Sequence, residues 1–175
     1  MGGGAGMSGR DEVNQISGTQ LSTPLKFIGV LSLIVLIPYI IAVVLVSAIW
    51  TMVLYIAIWI LWIPNGLSVL FIHSNSPVWS GYLEKNIFPH IEHRAVLLNW
   101  SERNHWKTDL AVRAFRNFGG RRNFNPMAIV FRPFRFQKSF RFYEAFRDDQ
   151  HGNPESLERM KLSFFECLGI HENSH

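Results

Sequence analysis

The apolar positions of this chain change rhythm twice, and each change marks a boundary. From Phe27 to Ile63, 37 consecutive residues include no Asp, Glu, Lys, Arg or His. An apolar run of about 18 or more residues is what a bilayer-spanning helix requires. This run starts too late and continues too long for the core of a cleavable signal peptide, and it ends in Trp62-Ile63-Pro64 rather than at small residues. It is expected to remain as an anchor, residues 25–64. One straight helix of that length would extend roughly 55 Å, against about 30 Å of hydrocarbon. The favoured expectation is therefore a helical hairpin with two legs of about 18 residues. Its turn would lie at Ser47-Ala48-Ile49-Trp50-Thr51, with Trp59 and Trp62 at the near interface. The rival is a single span from Tyr39 to Ile63, separated by Pro38 from an interfacial segment.

Beyond the turn signal Pro64-Asn65-Gly66 the rhythm becomes that of a folded domain, residues 65–175. Leu67 to Ile72 reads as a strand. Ser76-Pro77 then reads as a helix start, a serine cap with proline at the first helical position. That helix runs to about His93, with Trp79, Leu83, Ile87 and Ile91 on one face and Pro89 near its end. Ala95–Leu98 is a second buried strand, and Asn99 to Lys107 a polar and aromatic loop. Thr108 is expected to cap a second helix, whose stripe of Leu110, Ala111, Ala114, Phe115 and Phe118 stops at Gly119-Gly120. Met127–Phe131 is the third strand, and Ser139 to Phe146 alternates as a half-buried fourth. Asn153-Pro154-Glu155 opens a last helix ending at Gly169. Residues 1–24 show no apolar period and read as a disordered tail.

The order β-α-β-α-β-β-α implies an α/β sandwich. With the proline just ahead of the third strand, it resembles the thioredoxin-like superfamily, the glutaredoxins in particular, over Leu67 to Leu168. Members carry Cys-Pro-x-Cys at the start of the first helix, where this chain has Ser76-Pro77-Val78-Trp79. The proline matches, while Ser76 and Trp79 replace the two cysteines. Members also place a cis proline opposite the motif, and the resemblance puts Pro126, in Asn125-Pro126-Met127, in that role. The Asn99-Trp100-Ser101-Glu102-Arg103 segment is similar to one in uncharacterised membrane-anchored bacterial proteins, which adds no function.

Charge divides the chain unevenly. Of 17 basic residues 15 follow residue 64, as do 11 of 13 acidic ones, so the domain carries the whole formal charge of +4. With Arg10 and Lys26 ahead of the run, a hairpin would place both ends, and the domain, on the cytoplasmic side. The single cysteine, Cys167, excludes an internal disulfide, a CxxC pair and a multi-cysteine metal site. Its plain role is that of a small buried hydrophobe.

No catalytic group, cofactor or metal is expected. Thiol–disulfide exchange needs an attacking thiolate, which Ser76 does not supply. Ser74 and Ser76 beside His73 lack a spaced acid to complete a triad, and His90-x-x-His93 lacks further ligands. Arg132, Arg135, Lys138 and Arg141, with Arg121 and Arg122 before them, concentrate positive charge on a Phe-rich hairpin. The plainest reading puts those phenylalanines in the core and the basic residues in water. Anionic lipid headgroups or an acidic protein partner are alternatives. Nucleic acid is the weakest, since no RNP-type motif is present. Asn99-Trp100-Ser101 matches a glycosylation acceptor but is discounted on a cytoplasmic domain.

The expected protein is thus a membrane-anchored, redox-inactive thioredoxin-like module that works by binding, as an accessory subunit of a membrane complex. The alternative is a glutathione-transferase-like enzyme using Ser76 at the first helix N-terminus.

Overall fold

The computed structural model describes residues 23–120 and 125–170, with side chains from residue 32. The expected tail falls almost wholly outside them. The described residues fall into two compact units that part between Ser47 and Ala48.

The apolar run forms one helix, α1 (Thr23–Leu61), which carries Pro38 within it. The favoured hairpin is not formed, because the helix passes uninterrupted through Ser47–Thr51, which lacks the Gly, Pro or Asn that turns use. Nor does Pro38 end the helix, as the rival reading required. Every residue from Ser32 to Trp50 is exposed. The helix is long and apolar enough to cross a membrane.

The second unit begins inside this helix rather than at residue 65. Leu54, Ile58 and Trp62, one turn apart along one face, are buried in the domain core. This resolves the excess length of the run, whose last turns are partly core. The sequence hid this because residues on the opposite face, Met52, Ile56 and Ile60, are equally apolar.

The domain is a mixed α/β fold around one four-stranded sheet. In chain order the strands are β1 (Val69–His73), β2 (Ala95–Asn99), β3 (Met127–Arg132) and β4 (Arg135–Arg141). Their spatial order is β2-β1-β3-β4. β1 runs parallel to β2 with His73 opposite Asn99, and antiparallel to β3 with Leu70 opposite Ile129. β3 and β4 are antiparallel.

Alternation along the strands sends side chains to two cores. Leu70, Ile72, Met127, Ile129 and Phe131 meet the end of α1 and α4 (Leu110–Phe118) on one face. Val69, Phe71, Ala128, Val130 and Phe140 meet the helices of the other face. Those are α2 (Ser80–Asn86), α3 (Phe88–Ile91), α5 (Phe142–Gln150) and α6 (Pro154–Leu168).

Several local expectations change. The helix after β1 begins at Ser80, not Ser76, and Trp79 occupies its cap position without a side-chain bond. It divides at Ile87, ahead of Pro89, because proline has no N–H to continue the ladder. Leu83, Ile87 and Ile91 are nonetheless all fully buried. Asp109 rather than Thr108 caps α4, its carboxylate accepting the Val112 N–H at 2.9 Å. β2 is an edge strand with Leu97 exposed rather than a buried one.

The fourth strand ends at Arg141, and Phe142 to Phe146 lies in α5 instead. Phe140 and Phe142 fit a strand period, but Phe142, Ala145 and Phe146 also fit a helical face, and all three are buried there. The Asn125–Pro126 bond is cis, as the resemblance implied.

Candidate functional site

The turn after β1 and the loop ahead of β3 are joined through the start of α5. In the turn, the Ser76 carbonyl accepts the Trp79 N–H at 3.4 Å and the Ser80 N–H at 3.1 Å. The Ser76 hydroxyl accepts the Val78 N–H at 3.4 Å. Ser76 therefore shapes a tight turn feeding α2 instead of capping a helix at its own position. Pro77 and Val78 are exposed, while Trp79 is partly buried.

The Trp79 ring lies 6.1 Å from that of Phe146 and 6.3 Å from that of Tyr143, centroid to centroid. Tyr143 in turn donates its N–H to the carbonyl of the buried Pro126 at 3.2 Å, beside the Phe142 N–H at 3.0 Å. Trp79 and Pro126, matched to the family motif from sequence, are thus linked through one residue. Two buried polar atoms here have no partner among the described residues, Trp79 Nε1 and Asn125 Oδ1.

A polar network lies beside this turn, where β1 and β2 end in register. The Asn99 amide donates to Asn75 Oδ1 at 2.9 Å and to Glu102 Oε1 at 2.8 Å. Ser101 Oγ accepts the Asn75 N–H at 3.1 Å, and the Asn99 carbonyl accepts from Trp106 Nε1 at 2.9 Å. The Asn99 amide is thus occupied in joining two loops, a structural role that its glycosylation-like sequence did not reveal. His73, the last residue of β1, packs edge-on against Phe88. Burial pushes its pKa below the usual 6.5, against the opposing pull of the Glu102 and Glu84 carboxylates and a backbone hydrogen bond at Ser74. Sequence reasoning missed this network because its members lie 24 residues apart, and only parallel pairing aligns them.

The other candidates are spread elsewhere. Cys167 is partly buried on α6 against the second core. His90 stacks against Phe165, while His93 accepts from Arg94, so the two face different neighbours.

On the basic hairpin, Arg132 pairs in register with Arg135, and Arg135, Lys138 and Arg141 are exposed. Phe131, Phe140 and Phe142 are buried, as the plain reading requires. Phe134 and Phe136 depart from it, at 89% and 86% exposure. Arg132 is half-buried, and its Nε has no partner among the described residues. Arg121 and Arg122 lie outside the described residues.

Comparison with protein-family models, with curated proteins and with solved structures finds no match for this chain.

Proposed function

We propose that the chain is a membrane-anchored, redox-inactive module of thioredoxin-like design that acts by binding, as an accessory subunit of a membrane complex. The observation that carries this reading is Trp79. Where a redox relative would hold its second cysteine, a large indole packs against Tyr143 and Phe146. The element order and the cis proline ahead of β3 support the relationship, and the length and apolarity of α1 support the anchor. At this position the chain offers an aromatic face beside exposed Pro77 and Val78 rather than a reactive sulfur. Tryptophan is favoured at interface hot spots because it presents a large rigid area.

The glutathione-transferase alternative gains nothing from this geometry. The Ser76 hydroxyl accepts the Val78 N–H, and the helix starts four residues later. With one helix in place of a hairpin, a crossing by α1 puts the two ends of the chain on opposite faces. The positive-inside rule weighs only residues near the span, where Lys26 precedes the apolar run and the first basic residue after it is Lys85, so the charge of the domain does not set its side.

The test is purification of the full chain in mild detergent. Trp79→Ala should release the co-purifying membrane protein, Ser76→Ala should keep it, and neither form should reduce insulin disulfides. Retention on glutathione resin that Ser76→Ala abolishes would reverse the assignment in favour of the enzyme.

A further inference from the structure

Arginine and tryptophan meet where α1 ceases to be exposed on all sides. Thr51 and Asn117 exchange side-chain contacts of 3.3–3.4 Å, which fix the end of α4 against α1. Beside that contact, a cleft of about 410 Å³ is lined by Trp50, Thr108, Arg113, Arg116 and Asn117. The Arg113 guanidinium sits 5.9 Å from the centre of the Trp50 ring. Arg113 and Arg116 are both exposed, and neither has an acidic partner among the described residues. No carboxylate lines the cleft. Asp109, adjacent in sequence to Thr108, is engaged in capping α4.

Position selects the ligand. Counted from Phe27, the first residue of the charge-free run, about 20 residues of α1 at 1.5 Å each cross a hydrocarbon core of about 30 Å, which ends one turn before Trp50. Trp50 then falls at the headgroup level, where tryptophan is enriched. Two guanidinium forks with a hydroxyl and an amide suit a phosphate, which arginine recognises bidentately. From these observations we infer that the cleft between α1 and α4 binds the phosphate headgroup of an anionic phospholipid. This site is separate from the β3–β4 hairpin, to which the sequence directed the lipid reading. The inference rests on the proposed membrane anchoring.

The test is native mass spectrometry of the full chain released from detergent, with phosphatidylglycerol or phosphatidylcholine added. A one-to-one phosphatidylglycerol adduct, favoured over phosphatidylcholine, is expected. Arg113→Gln/Arg116→Gln should weaken it roughly ten-fold or more, since each basic contact at an anionic surface is lost. Arg135→Gln/Lys138→Gln on the hairpin should bind as the unaltered chain does.

Equal uptake of the two lipids would overturn the site, as would indifference to the α4 double substitution. Full displacement by millimolar inorganic phosphate would identify a free-anion site instead and overturn the lipid assignment. Alkaline carbonate extraction of membranes separates the two levels. A chain that resists extraction but shows no lipid preference refutes only the headgroup site, whereas a chain that is released refutes the anchor and the site together.

Discussion

Trp59 and Phe134 stand with ring centroids 5.2 Å apart, so the last turns of α1 meet the tip of the β3–β4 hairpin through two aromatic rings. Tyr55 strengthens the same junction, its hydroxyl bonding Gln137 of β4. The hairpin is therefore held to the helix on the domain's own surface, although Phe134 remains largely exposed.

Phe134 also occupies a left-handed conformation, φ 56°, directly after Pro133 in the turn. Glycine suits such a position and an aromatic residue is strained there. Phe134→Gly is expected to change stability by no more than about 1 kcal/mol, because relief of strain offsets the lost ring contact. Phe131→Ala, in the core, should cost about 3–5 kcal/mol. Denaturant titration of the full chain in micelles compares them, and equal losses would contradict this account of the turn.

The buried face of α1 sets a second expectation. Leu54→Ala and Ile58→Ala should each destabilise the domain by about 2–5 kcal/mol, through lost burial and the cavity left behind. Ile60→Ala, on the exposed face of the same helix, should stay within about 0.5 kcal/mol. Protease resistance of the domain in detergent reads the difference. Similar sensitivity at all three positions would mean that the helix does not dock as described.

The cap of α4 yields a third. Asp109→Ala should cost about 1 kcal/mol, since the Val112 N–H loses its acceptor. Thr108→Ala should be nearly silent in stability. Thermal unfolding of the two variants ranks them, and the reverse order would restore Thr108 as the cap.

His73 makes stability depend on pH in a defined direction. Its folded pKa lies below 6.5 because burial disfavours the charged ring. The unfolded chain therefore binds the proton more readily between the two values, and stability rises with pH there. This contribution is present above about pH 6.5 and is lost as pH falls through the lowered folded value. His73→Gln should flatten the stability profile below pH 6.5 relative to the unaltered chain. An unchanged slope would show that other groups carry it.

The extent to which sequence revealed this fold follows from how many structures each pattern permits. The Asn153-Pro154 start fits one element and occurs where expected, whereas the Leu83-Ile87-Ile91 stripe is buried as expected but spans two helices, α2 and α3. Phe140-x-Phe142 fits a strand and Phe142-x-x-Ala145-Phe146 a helix, so the boundary between them needed the structure. In α1, apolar residues on every side left no stripe from which the docked face could be read. At the site, the sequence singles out Trp79 and Pro126 only through a resemblance, and their link through Tyr143 is visible only in the structure. The network from Asn75 to Glu102 was not legible, because strand pairing rather than spacing unites it.

The burial of Leu54, Ile58 and Trp62 also has a consequence for biosynthesis. These side chains emerge from the ribosome well before Met127, Ile129 and Phe131, the β3 residues in the same core cluster. Until β3 has been made, that face of α1 has no protein surface of its own to cover it. A segment as apolar as this one will meanwhile seek lipid or a chaperone. Were α1 to enter a membrane during synthesis, insertion and folding would therefore compete for the same three residues.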